Sequence, residues 1–207
     1  MTTAIIGLGN MGKGLAKRLA GKTDLILASR DEAAASAFAA TLRNAQSGSI
    51  EQAIRAAEVV FLALPYGAAL EAASLPALNG KIVVDISNPV KADFSGLAIG
   101  HTTSAAEEIQ TAAKGSKVVK AFNTIFAGLF DAPDASTAAV PVFLAGNDDA
   151  AVEKVAALVA KAGFAIEKTG GLDAARLLEP LGMLNIRFGY ALGRGASIAP
   201  KWSVVAA

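Results

Sequence analysis

Short apolar runs alternate along this chain with Ala-rich stretches whose apolar positions recur every three or four residues. Thr3-Ala4-Ile5-Ile6 is strand-like and ends at Gly7. Met11, Leu15, Ala16 and Leu19 then recur at helical spacing and predict a helix over residues 11–19. Leu25-Ile26-Leu27-Ala28 predicts a second strand, ending in Ser29-Arg30. A helix over 31–42, a weak strand over 44–47 and a short helix over 50–56 follow. Residues 58–64 form a near-continuous apolar run, as expected of a parallel strand buried on both faces, and Pro65 stops it. Residues 81–86 read as the next strand, stopped by Asn88-Pro89. A helix is predicted over 104–113, where Ser104 and Glu107 have capping-box spacing. Strands over 117–122 and 141–145 follow. A helix over 148–162 carries Val152, Val155, Ala156, Leu158, Val159 and Ala162 on one face, and 164–168 is the last strand. This alternation predicts an α/β fold of Rossmann type, a doubly wound parallel sheet with helices on both faces.

The segment after the last strand breaks the pattern. Leu177, Leu181, Leu184, Phe188 and Leu192 form a helical stripe with Pro180 inside it. Proline removes a backbone donor and crowds the preceding turn, so a break or kink is expected there. The stripe needs a partner surface, either the chain's own sheet or a second copy, and a homodimer is expected. No linker, repeat or low-complexity block divides the chain. Residues 1–207 therefore read as a single domain, with 172–207 as a small C-terminal helical elaboration.

Composition narrows the function more than the fold. The 207 residues are 53% hydrophobic and the mean hydropathy is +0.45, but Ala and Gly account for much of this. No apolar run approaches the roughly 20 residues of a membrane span. A net charge of +1 gives no footprint for nucleic acid or an anionic membrane. The absence of Cys excludes disulfides and thiolate catalysis, and a single His makes a zinc site improbable. The first strand begins close to Met1 with no basic stretch before it, so no signal peptide is expected and the expected compartment is the cytoplasm.

The glycine spacing brings the chemistry in. Gly7-Leu8-Gly9-Asn10-Met11-Gly12 fits G-x-G-x-x-G between a strand and a helix, the arrangement that seats a dinucleotide pyrophosphate on a helix N-terminus. Gly7 allows the tight turn, Gly9 the approach of a pyrophosphate, and Gly12 close packing of helix and strand. NAD-binding units end the second strand in an acid that accepts from the ribose hydroxyls. Here the position holds Ser29, followed by Arg30. A hydroxyl and a guanidinium suit a 2′-phosphate, so NADP is expected over NAD. Ligands bind outside the carboxyl ends of strands in open α/β sheets, which adds Leu64-Pro65, Asn88 and Asn123 to the same crevice. Asn88 and Asn123 offer neutral polar groups to a nicotinamide, although turn chemistry explains either residue equally well.

Groups for acid–base catalysis are scarce. His101 in Gly100-His101-Thr102-Thr103 reads as a surface residue, Tyr66 as a half-exposed structural one, and Lys91 and Lys120 as solvated. Asp85 reads as orienting or capping. No catalytic side chain and no metal ligand is assigned. Hydride exchange between two redox cofactors needs alignment more than protein acid–base groups.

Several pieces carry a family resemblance across nearly the whole chain. They are residues 7–19, 28–30 and 64–65, Ser104-Ala-Ala-Glu-Glu108, Val118-Val-Lys-Ala-Phe-Asn-Thr-Ile125, and Gly171-Leu-Asp-Ala-Ala-Arg-Leu-Leu-Glu-Pro-Leu181. The chain resembles NADP oxidoreductases of the coenzyme F420-dependent type, and is also similar to the NADPH domain of ferric reductases. The resemblance implies hydride exchange between NADP(H) and F420 or a flavin-type acceptor. It implies that Leu8 to Met11 hold the pyrophosphate, that Ser29 and Arg30 hold the 2′-phosphate, and that Asn123, Ile125 and Ala127 lie against the nicotinamide. The chain departs from the archaeal pattern at Asn123, where those enzymes carry His, and near Ala34, where they carry a basic residue. Two other readings stay open. One is an NADPH-dependent imine or carbonyl reductase of pyrroline-carboxylate-reductase type, for whose helical dimerisation domain 172–207 is too short. The other is a non-catalytic NADP(H)-sensing protein.

Overall fold

The structure is a computed structural model that describes residues 1–203 and 205. The strands are β1 (Thr2–Ile6), β2 (Asp24–Ala28), β3 (Ala45–Ser47), β4 (Val59–Leu62), β5 (Ile82–Asp85), β6 (Lys117–Lys120), β7 (Pro141–Gly146) and β8 (Ala165–Lys168). The helices are α1 (Asn10–Leu19), α2 (Glu32–Ala39), α3 (Ile50–Ala56), α4 (Tyr66–Ala73), α5 (Ala105–Ala112), α6 (Asp134–Thr137), α7 (Asp149–Lys161) and α8 (Ala175–Ile186). All strands join one sheet in the order β3-β2-β1-β4-β5-β6-β7-β8. The chain runs outward from β1 to β3 and returns on the other side of β1. That reversal leaves a crevice between the carboxyl ends of β1 and β4.

Alternation along the strands builds two cores. Ile5, Phe61, Val84 and Val119 face one side of the sheet and pack with α1, α2 and α7. Ala4, Ile6, Val60, Leu62 and Val83 face the other and pack with α3, α4 and α5. Every residue of β4 and β5 is buried, which explains their continuous apolar patterns. Side-chain caps set four helix starts: Asp31, Ser49, Ser104 and Asp148 each accept from a first-turn N–H.

The Rossmann-type fold holds, and two details within it differ from expectation. The sheet is not parallel throughout. β6 and β7 pair antiparallel, with Val119 opposite Gly146, so β7 and β8 run against the others. The connection over 121–140 contains a 3-10 turn at Ala127–Asp131 and the single turn of α6, and no helix long enough for a parallel crossover. Pro180 does not break its helix either. α8 runs unbroken from Ala175 to Ile186, and the irregularity comes later, as a π-helical turn over Arg187–Ala191. Pro180 itself is exposed, while Glu179 and Asn185 are buried and bond to the body of the fold. Tertiary bonds override the local penalty. α4 is a helix that sequence periodicity did not indicate.

Candidate functional site

The sequence-predicted residues fall along one edge of the sheet. Ser29 and Arg30 follow β2, the glycine loop follows β1, Leu64 and Pro65 follow β4, Asn88 follows β5, and Asn123 to Ala127 follow β6. These five strands are consecutive neighbours, so the groups line up over roughly 20 Å of carboxyl edge. The sheet order therefore arranges the candidates as one extended crevice.

The glycine loop is built by close approach. Gly7 has φ of +97°, and a Cβ there would strike the Ala63 carbonyl and the Leu64 side chain. A Cβ on Gly12 would collide with the Gly7 carbonyl oxygen. No other residue fits either position. Gly9 differs, since its Cβ direction is open to at least 4 Å. Gly9 is also the N-cap of α1, without a side-chain cap and without an acid in the first turn. The N–H groups of Asn10, Met11 and Gly12 thus present an uncompensated helix N-terminus. This cradle fits a pyrophosphate, whereas the starts of α2, α3, α5 and α7 are closed by their own caps.

At the β2 end, Arg30 is exposed and Ser29 half-buried, with its hydroxyl donating to the Asp31 carbonyl oxygen at 2.7 Å. The Asp31 carboxylate caps Ala34 N–H and Glu32 sits in the first turn of α2. The Asp31 carboxylate is thus engaged with the next helix, and no ion pair joins Arg30 to either acid among the described residues.

At the β5–β6 end, Asn88 and Asn123 bind each other. Asn123 Nδ2 donates to Asn88 Oδ1 and to the Leu178 carbonyl oxygen, both at 2.9 Å, and Asn88 Nδ2 donates to the Asn123 carbonyl oxygen at 2.6 Å. Asn123 Oδ1 is buried with no partner. A buried acceptor left without a partner calls for an explanation, and an N–H group brought by a bound ligand would supply one. Ile125 is buried and Ala127 half-buried, and both belong to the apolar cluster that Leu8 and Met11 join from the glycine loop. The glycine loop and the turn after β6 thus pack against the same apolar cluster.

Lys120 corrects the reading most sharply. It is fully buried, not solvated, and its Nζ donates to Asp85 Oδ2 at 2.7 Å, the Ser87 carbonyl oxygen at 2.7 Å and Glu179 Oε1 at 2.8 Å. Glu179 also accepts from the N–H groups of Ala105 and Ala106 at the start of α5. Asp85 Oδ1 accepts from Ser87 N–H. Sequence periodicity gave no sign of Glu179.

The candidate acid–base groups are poorly placed. His101 is exposed in a loop at φ of +63°. The Tyr66 hydroxyl donates to the Glu108 carboxylate. Burial first, and that carboxylate second, hold its phenol above the ordinary tyrosine range, so it keeps its proton. Among the described residues, no group of three or more His, Cys, Asp or Glu side chains could hold a metal, and no helix is long and apolar enough to cross a membrane.

A cleft of about 520 Å³ opens between the turn after β5 and the C-terminal half of α8. One wall is the turn around Phe94 and Ser95, closed by Lys91 N–H donating to the Gly96 carbonyl oxygen. The other is the far side of α8 and the π-helical turn, with Met183, Ile186, Arg187 and Tyr190. Phe126 meets Tyr190 edge-on at 5.3 Å between ring centroids, so the cleft borders the turn that carries Ile125 and Ala127.

Comparison with known proteins gives the family. Residues 2–89 match the family described as NADP oxidoreductase, coenzyme F420-dependent. The chain is 30% identical to an F420-dependent NADP reductase of Methanocaldococcus jannaschii, covering 90% of this chain and 91% of that protein. A crystal structure described as a putative F420-dependent NADP-reductase from an Arthrobacter species superposes with a TM-score of 0.84 at 31% identity, covering 99% of this chain and 100% of that one. Metalloreductase STEAP3 of Rattus norvegicus is 31% identical over 86% of this chain, which spans only 35% of that protein's length.

Proposed function

The chain belongs to the coenzyme F420-dependent family of NADP oxidoreductases, and from that premise we propose that it moves a hydride between NADP(H) and a deazaflavin or flavin-type acceptor. The observation that carries the reading is the line of phosphate cradle, apolar cluster and amide pair along adjacent strand ends. NADP(H), when bound, supplies or accepts the hydride. The N–H groups at the start of α1 hold the pyrophosphate. Arg30, with Ser29 after its hydroxyl turns away from Asp31, holds the 2′-phosphate. Leu64 and Pro65 close over the ribose side. Asn123 Oδ1 accepts from the carboxamide and fixes the ring's rotation, with Asn88 holding the amide in register. Leu8, Met11, Ile125 and Ala127 exclude water from the ring face. The acceptor enters from the cleft beside Tyr190, where exposed aromatic rings suit a planar partner. The proton that accompanies the hydride onto the acceptor comes from solvent water, so no side chain is required to supply it and alignment of the two rings does the work.

Two measurements test this. NADPH should bind tenfold to a hundredfold more tightly than NADH, from about 1.5–3 kcal/mol in a charge-assisted hydrogen bond. Arg30→Ala should remove that preference and leave NADH unchanged in a fluorescence titration; equal wild-type affinities overturn the assignment. A screen of NADPH with F420, FMN, ferric chelates and cyclic imines should give turnover with one of the first two. Turnover with imines alone overturns the acceptor class.

A further inference from the structure

Lys120 lies too deep to touch a bound dinucleotide, yet each of its partners adjoins one piece of the amide pair. Ser87, whose carbonyl oxygen Lys120 holds, is followed directly by Asn88. Lys120 itself stands three residues before Asn123. Glu179 follows Leu178, whose carbonyl oxygen accepts from Asn123 Nδ2. One ammonium therefore gathers the ends of β5 and β6 and the second turn of α8, and those three pieces make the amide cluster. We propose, building on the NADP(H) reading above, that Lys120, Asp85 and Glu179 are positioning residues that set Asn123 Oδ1 for the nicotinamide carboxamide.

The local backbone shows why such a device is needed. The chain leaves β6 through Phe122, a non-glycine residue at φ of +60°. A bulky side chain is strained there and persists only where its surroundings over-determine it. Phe61, Phe130 and Phe164 surround the Phe122 ring at centroid distances of 6.0–6.1 Å. They hold the turn from one side. From the other, α8 presses its buried small residue Gly182 against Asn123, where a Cβ would lie 2.7 Å from the Asn123 carbonyl oxygen. α8 would present its apolar stripe to this surface if hydrophobicity alone positioned it. It is instead anchored through Glu179 and Asn185, the latter donating to the Thr124 carbonyl oxygen at 3.0 Å. The buried cluster has one carboxylate more than ammonium groups, and the two N–H groups of α5 balance it at Glu179. A buried ionic group of this kind is a poor source of net stability, and a specific register is its best-supported use.

The inference separates two halves of one ligand. The adenine half depends on the glycine loop and Arg30, and the nicotinamide half on the amide pair. The probes are NADPH and 2′-phospho-ADP-ribose, which lacks the nicotinamide, titrated against wild type, Glu179→Ala and Glu179→Gln. In wild type NADPH should bind at least fivefold more tightly than 2′-phospho-ADP-ribose. Glu179→Ala should bring the ratio close to one, with 2′-phospho-ADP-ribose affinity within twofold of wild type. Glu179→Gln keeps one acceptor oxygen, for Lys120 and the Ala106 N–H group, and loses the one that serves the Ala105 N–H group, so its ratio should lie between the two. If Glu179→Ala does not fold, Glu179→Gln alone decides: a ratio lowered at least twofold supports the inference and an unchanged one overturns it. Parallel weakening of both ligands reduces the triad to a purely structural role and also overturns it. A wild type that binds both ligands equally overturns the positioning role but leaves the dinucleotide reading standing. A wild type that binds neither ends both.

Discussion

Residues whose role is set by backbone contact were legible, and residues set by distant partners were not. Gly7 and Gly12 can be read from spacing because no side chain fits against Ala63 and the Gly7 carbonyl. Lys120 reads as a surface charge in any local window, since its partner Glu179 lies 59 positions away and only the fold brings them together. The same limit hid the engagement of Asn88 with Asn123. The residue-scale prediction concerns chemistry. Tyr66 keeps its proton through burial and Glu108, and His101 points from an exposed loop, so neither is suited to act as an acid. Turnover of His101→Ala and Tyr66→Phe should each fall less than about tenfold, short of the 10²–10⁴-fold typical of a lost general acid. Ala127→Trp should cost far more by filling the ring site. Ile125 is too buried for the same substitution to be interpretable. Loss of activity in Tyr66→Phe or His101→Ala with NADPH binding intact would replace hydride exchange with a carbonyl or imine reduction.

At the scale of elements, periodicity located every strand within a few residues, because buried parallel strands write their burial directly into composition. It missed α4, and it missed the direction of β7, which depends on how a connection folds. It gave Ser104 and Glu107 a capping box, and half of one exists. Glu107 N–H donates to Ser104 Oγ at 3.2 Å, while the Glu107 carboxylate turns to Arg176 of α8 in a two-pronged pair and receives the Ser104 hydroxyl. The pair staples α8 to α5. The Arg176 guanidinium, opposed by burial, holds the Glu107 carboxyl below its ordinary value of 4.5. A carboxyl depressed in the folded state stabilises above its unfolded pKa and loses that contribution as pH falls through the folded value. Glu107→Gln should therefore lower the urea midpoint at pH 7 and narrow the gap to wild type as pH drops below about 4.5. Curves that stay parallel down to pH 3 would show that the staple contributes nothing to docking α8.

At the scale of the molecule, α8 is turned the opposite way from its hydrophobic pattern. It buries Ala175, Leu178, Glu179, Gly182 and Asn185, half-buries Leu181 and leaves Leu177 74% and Leu184 47% exposed, while Leu192 beyond the π-helical turn is 56% exposed. The polar anchors hold the interior face, and the apolar stripe is left partly outside. A sequence can show that a stripe exists but not which face the rest of the fold claims first. An exposed apolar stripe on a helix marks a contact, and a two-fold axis would let it meet its own copy. The expected state is a homodimer, burying about 800 Å² per subunit if it is of standard size. Leu184→Glu would set two carboxylates against each other across the axis at a half-exposed position of α8. Light scattering at micromolar concentration should give a dimer for wild type and a monomer for Leu184→Glu, with NADPH affinity retained because the glycine loop and Arg30 lie on other elements. A monomeric wild type would mean that the stripe is covered by something other than a second copy.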